Sequence, residues 1–323
     1  MLICAHLDAQ VLFVKAGNHG NGSSWDNAFG DLQQALATAT PGAQIWVAQG
    51  IYLPTKTADR HASFSIPEGV VLLGGFAGEE TSPEQRNWNL NRTILSGEIG
   101  SPNTDTDNSY TVVYSNGNVV VDGFIITKGN ANNPVDRGDY SSSGGGWFND
   151  GSRGNGSPNI LNCLFVDNKA FYGGALYNNG RSGNCNGTLI QDCQFINNVA
   201  RVDGGGIYND GSNGVCNVVI SSCTFESNQS YYGAGILNRA DYGEANPLIE
   251  NCTFTNNASM VRGSCIYNHR EQGGICNPLL RGCRFDESNY EMVGSNVGGS
   301  TNPQEMEDAK KPKRQVIIRP TTY

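Results

Sequence analysis

The chain is poor in charged side chains and has no long apolar run. Asp, Glu, Lys and Arg together make up 16% of its 323 residues, against about 25% in an average globular protein, and only seven residues are lysine. Since the net charge is −9, the composition excludes an ordinary nucleic-acid-binding protein, which needs a basic surface. No apolar run approaches the roughly 18 residues that a membrane-spanning helix needs.

The abundant residues argue against two further classes of protein. The chain contains 42 Gly and 38 Asn, and because both are poor helix formers a helix-rich fold is excluded. Disorder is excluded as well, because 38% of the residues are hydrophobic. The ten cysteines include no Cys-x-x-Cys pair, which argues against a metal or redox role for them.

From Asn159 onward the sequence repeats itself about every 30 residues. Four columns of residues recur in phase, with 29 to 31 positions between successive members. A fifth, decayed repeat follows at Cys283 and Phe285. The columns are Cys163, Cys193, Cys223 and Cys252; Phe165, Phe195, Phe225 and Phe254; Asn168, Asn198, Asn228 and Asn257; and Asn149, Asn178, Asn209, Asn238 and Asn268.

This repeat predicts an all-β fold, a parallel β-helix of about nine coils. Short runs alternate apolar and polar residues, which is the period of a strand, and Gly and Asn cluster between them as turn residues. Coils stacked at the interstrand spacing of about 4.8 Å would place Phe on Phe inside the fold. The asparagines would form hydrogen-bonded ladders, and the cysteine column would be a stack of buried thiols.

The motif pair Phe-x-x-Asn and Gly-Gly-[Ala/Ile/Leu] resembles the repeats of the polymorphic outer membrane proteins of chlamydiae. It is also similar to the wider group of right-handed parallel β-helices with a pectin-lyase-like fold. The resemblance covers residues 159–289. It implies right-handed winding and a protein secreted by a bacterium or displayed on its surface. It says little about activity, since such folds host lyases, hydrolases and adhesins.

The remaining segments divide the chain into four parts. Residues 1–10 could be the remnant of a signal peptide, although they lack its basic start and apolar stretch. Residues 11–44 are expected to form an N-terminal cap that contains a helix, Trp25 to Ala39, with Asp26 as its N-cap. The β-helix is expected over 45–300, and 301–323 form a basic tail.

One loop could bind a metal ion, and one pair of cysteines could form a disulfide. Asp105, Asp107 and Asn108 place oxygens in one loop, which suits Ca²⁺, although a solvated polar loop is the simpler interpretation. No other cofactor is indicated. Cys185 and Cys216 lie one coil apart, so a disulfide between them is feasible.

Catalytic candidates are scattered along the sequence. Because four consecutive repeats are near copies, no coil looks specialised for catalysis.

Aromatic residues near the glycine strand could stack on sugars, although covering a sheet is their simpler role. Arg137-Gly138-Asp139 matches an integrin-binding tripeptide, which we attribute to chance. The basic and acidic candidates are Arg153, Asp167, Arg181, Arg201, Asp203, Asp210, Arg239, Arg262, His269 and Arg270, and the aromatic ones are Trp147, Phe171, Tyr172, Tyr231 and Tyr232.

The sequence therefore favours a non-catalytic structural or adhesive protein, secreted or on the cell surface. Its partner would be a surface glycan or a second copy of the chain, docked through Val316, Ile317 and Ile318 into a filament. The alternative for this tail is that it folds back over its own last coil as a plug. The alternative is a carbohydrate-binding β-helix or a carbohydrate-active enzyme, either a polysaccharide lyase or a glycoside hydrolase. A cleft with clustered Arg, Lys and Asp on one face would favour that alternative.

Overall fold

A computed structural model describes residues 10–285 and 293–295 of the chain. All but the last residue of the segment 1–10, and the whole of the tail 301–323, lie outside the described residues. Within them the chain winds into a parallel β-solenoid of nine coils, as the repeat predicts. Every strand pairing is parallel, which is consistent with right-handed winding.

Each coil visits up to four sheets, which we number in the order in which a regular coil such as residues 159–179 visits them. Sheet 1 has nine strands: β1 (Val11–Val14), β2 (Gln44–Ala48), β5 (Val71–Phe76), β8 (Val120–Asp122), β12 (Asn159–Leu161), β16 (Leu189–Gln191), β20 (Val219–Ser221), β24 (Leu248–Glu250) and β28 (Leu279–Arg281). Sheet 2 has eight: β3 (Gly50–Tyr52), β6 (Thr93–Ser96), β9 (Phe124–Thr127), β13 (Leu164–Val166), β17 (Gln194–Ile196), β21 (Thr224–Glu226), β25 (Thr253–Thr255) and β29 (Arg284–Phe285).

The other two sheets close the coil. Sheet 3 has five strands: β10 (Asn130–Ala131), β14 (Lys169–Tyr172), β18 (Val199–Asp203), β22 (Gln229–Tyr232) and β26 (Ala258–Arg262). Sheet 4 has eight: β4 (Phe64–Ile66), β7 (Val113–Ser115), β11 (Trp147–Asp150), β15 (Leu176–Asn179), β19 (Ile207–Asp210), β23 (Ile236–Asp241), β27 (Ile266–Glu271) and β30 (Val293–Ser295). Its strand order runs continuously from β4 to β30.

The corners of the coil depend on residues that tolerate a left-handed backbone. Between sheets 1 and 2 the φ angle is +50° at Asn162, +53° at Asp192 and +54° at Asn251. Between sheets 3 and 4 the corner residue is a glycine, with φ of +69° at Gly204 and +61° at Gly233. Asn, Asp and Gly adopt this conformation at low cost, which explains why they recur between the strands.

Stacked side chains fill the interior. Phe165 and Phe195 lie with ring centroids 4.9 Å apart, Phe195 and Phe225 also 4.9 Å, and Phe225 and Phe254 4.8 Å, with the rings nearly parallel. This spacing is that of the strands, so the predicted in-register stack is present. Beside it the cysteine column forms a row of buried free thiols whose Sγ atoms donate to main-chain carbonyls, at Cys163, Cys193, Cys223 and Cys252.

Two buried asparagine ladders run along the stack. In sheet 4 the side-chain amides of Asn178 and Asn209 are joined by a 2.8 Å hydrogen bond, those of Asn209 and Asn238 by another of 2.8 Å, and those of Asn238 and Asn268 by one of 2.9 Å. A second ladder joins Asn168, Asn198, Asn228 and Asn257 at the corner between sheets 2 and 3. Each amide in this second ladder also donates to a main-chain carbonyl of the preceding coil.

The α-helix is shorter than expected. It spans Leu32–Thr38 (α1), and its N-cap is Asp31, not Asp26. The expected first turns cannot form because Phe29 pairs with β1 and Trp25 packs in an aromatic cluster with Phe13. The buried face of α1 packs against β1, β2 and β4 at the start of the solenoid.

Two short 3₁₀ helices, Pro83–Gln85 and Asp105–Asp107, are the other helical turns of the described chain. Over residues 10–285 and 293–295, no helix combines the length and the apolar character that crossing a membrane requires.

Candidate functional site

The outer face of sheet 4 carries a column of stacked aromatic side chains, Phe148, Tyr177 and Tyr208, which we call the tyrosine column. The asparagine ladder points inward from these strands, so the residues on either side of it point outward. Phe148 and Tyr177 have ring centroids 5.6 Å apart, and Tyr177 and Tyr208 have centroids 4.9 Å apart. Tyr177 and Tyr208 are nevertheless fully buried, because other parts of the chain cover them.

The second outward column of sheet 4 differs from coil to coil. Five residues are paired in register along it: Asp150, Asn179, Asp210, Arg239 and His269. The neighbouring inward column is asparagine in every one of these coils. The repeats are therefore not near copies at this column, while the expectation that no coil is specialised for catalysis stays a prediction. The stack fixes the residues that point inward and leaves the outward ones free to vary.

A loop between β10 and β11 (132–146) brings an arginine onto this column. Nε of Arg137 is 3.2 Å from Oδ2 of Asp210, and a terminal guanidinium nitrogen is 3.1 Å from Oδ2 of Asp241. The main-chain carbonyl of Arg137 accepts a hydrogen bond from the guanidinium of Arg181. We call the group formed by Arg137, Arg181, Asp203, Asp210, Arg239, Asp241, His269 and Glu271 the charged cluster.

Asp210 is the most enclosed acid of the charged cluster. Its carboxylate is completely buried, and its Oδ2 accepts a 2.6 Å hydrogen bond from the hydroxyl of Tyr177. Its Oδ1 accepts a 3.0 Å hydrogen bond from the main-chain N–H of Ser212. Burial, followed by the charge of Asp210, raises the pKa of Tyr177 well above its usual value, so this hydroxyl stays a donor. Asp210 therefore holds the loop 132–146 in place through Arg137.

Asp203 lies in a different environment. It ends β18 in sheet 3, is 8% exposed, and its Oδ1 has no hydrogen-bond partner in the described part of the chain. Burial raises the pKa of Asp203 to about 6, and the positive charges of Arg239 and Arg137 offset this only in part. The hydroxyl of the buried Tyr208 also lacks a partner among the described residues. Asp203 is therefore a carboxyl that can hold a proton near neutral pH.

His269 lies between two carboxylates at the far end of the charged cluster. Its Nε2 is 3.4 Å from Oδ1 of Asp241 and 3.2 Å from Oε1 of Glu271. Burial lowers the pKa of His269, and the charge of Arg239 lowers it further, while both carboxylates act in the opposite direction. The net shift of the pKa is downward, which favours the neutral imidazole.

The charged cluster is electrically balanced rather than basic. Arg137 pairs with Asp210 and Asp241, and Nε of Arg239 is 2.5 Å from Oδ2 of Asp241. Because these guanidinium groups already face carboxylates, they offer little unpaired positive charge to an acidic sugar. A protonated Asp203 is the acid that the arrangement could supply to a bound molecule.

Sequence candidates outside the cluster lie elsewhere on the solenoid. Arg153 and Asp167 are exposed, and Arg201 lies over the ring of Phe171, with its guanidinium carbon 5.1 Å from the ring centroid. Arg262 lies in β26 of sheet 3, and Arg270 follows His269 in β27 and so points to the opposite side of that strand.

The aromatic candidates differ in their burial and packing. The expectation that Trp147 could stack on a sugar is wrong, because the residue is fully buried and its indole N–H donates to Ser115 Oγ at 2.9 Å. Tyr172 and Tyr232 pack against the tyrosine column, whereas Tyr231 is 44% exposed.

The proposed calcium loop is a 3₁₀ turn. The carboxylate of Asp105 is paired with the ammonium of Lys169, and Oδ2 of Asp107 accepts a 2.8 Å hydrogen bond from the main-chain N–H of Ser101. Asn108 is 1% exposed, and its side-chain oxygen has no partner among the residues that the structure describes. Calcium would have to compete with Lys169 for Asp105, and binding there stays a prediction.

Cys185 and Cys216 are buried free thiols in the structure. Their side chains interact with each other, and burial, followed by this contact, raises the pKa of Cys216 well above its usual value. A protonated buried thiol is unreactive. The disulfide between them stays a prediction.

Three members of the charged cluster were not predicted from the sequence. Asp241 and Glu271 were not among the candidates, and Arg137 was attributed to a chance tripeptide. A usable signal was present: Asp210, Arg239 and His269 follow one another at the repeat spacing of 29 and 30 residues, so stacking alone places them together. No comparable signal exists for Arg137, which lies in a loop outside the repeat.

Comparison with known proteins supports the repeat. A family model described as the Chlamydia polymorphic membrane protein repeat matches residues 192–210, from the corner before β17 to the end of β19. A search of curated proteins found no match to this chain. The resemblance to chlamydial repeats is thus confirmed for one repeat unit.

Two solved structures are similar to the chain. One is a rhamnogalacturonan lyase, with a TM-score of 0.39 and 13% identity over 88% of this chain and 65% of that chain. The other is a pectate lyase, with a TM-score of 0.41 and 10% identity over 84% of this chain and 78% of that chain. The chain therefore spans less than two thirds of the rhamnogalacturonan lyase. Neither likeness extends to activity or substrate.

The raised pKa of Asp203 predicts a specific dependence of stability on pH. Its folded-state pKa of about 6 exceeds the ordinary value of 3.8, so the folded protein holds a proton that the unfolded chain releases between about pH 4 and 6. The stabilisation that the protonated Asp203 gives the folded state is fully present below about pH 4 and is lost as the pH rises through about 6. Relative to Asp203→Asn, the wild type should lose about 2–3 kcal/mol of unfolding free energy between pH 4 and pH 8.

Urea unfolding at both pH values measures this difference, with the exposed Asp26→Asn as the matched control. The control should follow the wild type at both pH values. If wild type and Asp203→Asn change in parallel with pH, Asp203 ionises normally in the folded state and the prediction is wrong.

Proposed function

We propose that this chain is a non-catalytic structural or adhesive β-solenoid that a bacterium secretes or displays on its surface. The observation that carries the proposal is the uniformity of the stack. Over four repeats the inward positions are occupied by the Phe, Cys and Asn columns, which stack on one another from coil to coil. The match to a repeat named for membrane proteins of Chlamydia supports placement at the bacterial surface.

The contacts of the charged cluster also support a structural role. The carboxylates of Asp210 and Asp241 face the guanidinium of Arg137, and the hydroxyl of Tyr177 donates to Asp210. These contacts fasten the loop 132–146 over the tyrosine column. Acids that hold a loop in this way are not free to act on a substrate, and a surface glycan would instead contact exposed residues such as Tyr231 and Tyr242.

The proposal is tested by incubating the purified chain with pectate, alginate and chondroitin in the presence of calcium. We expect neither ultraviolet absorbance from unsaturated uronates nor new reducing ends. In parallel, an antibody against the chain should label intact cells of the source bacterium, whereas an antibody against a cytoplasmic protein should label them only after lysis. Turnover of any polysaccharide, or labelling only after lysis, would contradict the proposal.

A second candidate function is carbohydrate-active chemistry, either hydrolysis or elimination. The observation that favours it is Asp203, whose pKa of about 6 is that of a carboxyl able to donate a proton at neutral pH. If turnover is found, this candidate requires that Asp203→Asn abolish it while Asp26→Asn retains it.

The proposed structural role includes assembly of the chain with copies of itself. Leu279 in β28, the last described strand of sheet 1, is 49% exposed, and nearby Ile275 is 43% exposed, whereas α1 packs against the strands at the other end. An open strand edge is a template for another chain. We propose that the tail segment containing Val316, Ile317 and Ile318, which lies outside the described residues, docks on a neighbouring copy and joins the solenoids head to tail.

Sedimentation velocity of the full chain and of a form lacking 303–323 tests this assembly. The full chain should sediment as oligomers or filaments, and the shortened form as a folded monomer. A chain with V316S/I317S/I318S keeps the length and charge of the tail, so it should also be monomeric. A full chain that is monomeric at every concentration would end the filament proposal.

A further inference from the structure

The last two long strands of sheet 4 bring one imidazole and two carboxylates together. Asp241 ends β23 and is paired in register with Glu271, which ends β27. His269 precedes Glu271 by two residues, so their side chains point to the same outer face. The three ligand-type atoms, Asp241 Oδ1, His269 Nε2 and Glu271 Oε1, all lie within 4.8 Å of one another.

These atoms approach one another without forming hydrogen bonds. Asp241 is 8% exposed, yet its Oδ1 has no hydrogen-bond partner among the described residues, and neither has Nε2 of His269. Buried polar atoms are normally paired, so two orphaned atoms 3.4 Å apart need an explanation. The carboxylates of Asp241 and Glu271 are also directly opposite each other on paired strands, where like charges repel.

We propose that Asp241, His269 and Glu271 bind a divalent transition-metal ion, for which Zn²⁺ is the best fit. Zn²⁺ binds imidazole nitrogen and carboxylate oxygen at about 2.0–2.2 Å in a tetrahedral arrangement, which places neighbouring ligand atoms about 3.3–3.6 Å apart. The separations from Nε2 of His269, 3.4 Å and 3.2 Å, are close to that edge length. Ca²⁺ and Mg²⁺ prefer oxygen ligands throughout and would leave the imidazole unexplained.

The residues around the three ligands suit such a site. The other oxygen of Asp241, Oδ2, receives Nε of Arg239 at 2.5 Å and Arg137 at 3.1 Å, which fixes the carboxylate with Oδ1 turned toward His269. Hydrogen bonds of this kind orient metal ligands in known sites. The side chain of Glu271 is 53% exposed, so the metal can enter from solvent and keep a water as its fourth ligand.

A metal at this position would tie β23 to β27 near the end of the regular repeat. It would satisfy both orphaned atoms and neutralise the two opposed carboxylates at once. The site does not depend on the proposed surface role, because a scaffold and an enzyme could each contain it.

Calorimetric titration of the untagged full chain with Zn²⁺ tests the proposal. We expect one ion per chain with a Kd below about 10 μM. Zn²⁺ should also raise the melting temperature, because a ligand that binds only the folded state stabilises it. Co²⁺ used as a spectroscopic probe should give the visible absorption of a four-coordinate site. Glu271→Gln and His269→Gln should each weaken Zn²⁺ binding at least tenfold.

The matched controls are Glu79→Gln and His19→Gln, which alter exposed residues of the same types far along the chain. Both should bind Zn²⁺ as the wild type does, and circular dichroism of all four variants checks that they fold. Zn²⁺ binding that is undiminished in the folded Glu271→Gln and His269→Gln variants would place the metal elsewhere, for example on cysteines. That result, or the absence of one-site binding to the wild type, overturns the proposal.

Discussion

The buried asparagine ladders are the constraint on which the rest of the structure depends. Each side-chain amide bonds to the amide of the next coil at 2.8–3.1 Å, so successive asparagines must lie at the same point of the coil. A shift of register between neighbouring coils would leave these amides unpaired in the interior, which is costly. The ladders therefore fix the register of the stacked coils, and the phenylalanine stack and the thiol row follow from the same register.

This constraint decides where the chain can vary. Residues that point inward must match their neighbours above and below, whereas residues that point outward need only be compatible with solvent or a covering loop. On sheet 4 the outward column changes from Asp150 to Asn179, Asp210, Arg239 and His269. The charged cluster, which includes the acid of raised pKa and the imidazole between two carboxylates, lies on and beside this column.

Much of the fold could be predicted from the sequence because a repeat converts spacing along the chain into contact in space. The same rule could have placed Asp210, Arg239 and His269 together. It could not have placed Arg137, whose position depends on the path of the loop 132–146, nor the start of the helix. Asp26 and Asp31 are both acceptable N-caps, and the choice depends on tertiary contacts of Trp25 and Phe29 with β1.

The most direct test of this account is the unfolding free energy of Asn209→Ala. Asn209 accepts from Asn178 and donates to Asn238, so its removal leaves a partner unpaired on each neighbouring coil. We expect urea unfolding to show a loss of about 1–3 kcal/mol. The exposed Asn89→Ala, which removes the same group from a loop, should change little. Equal stability of the two variants would contradict the conclusion that the ladder sets the register of the solenoid.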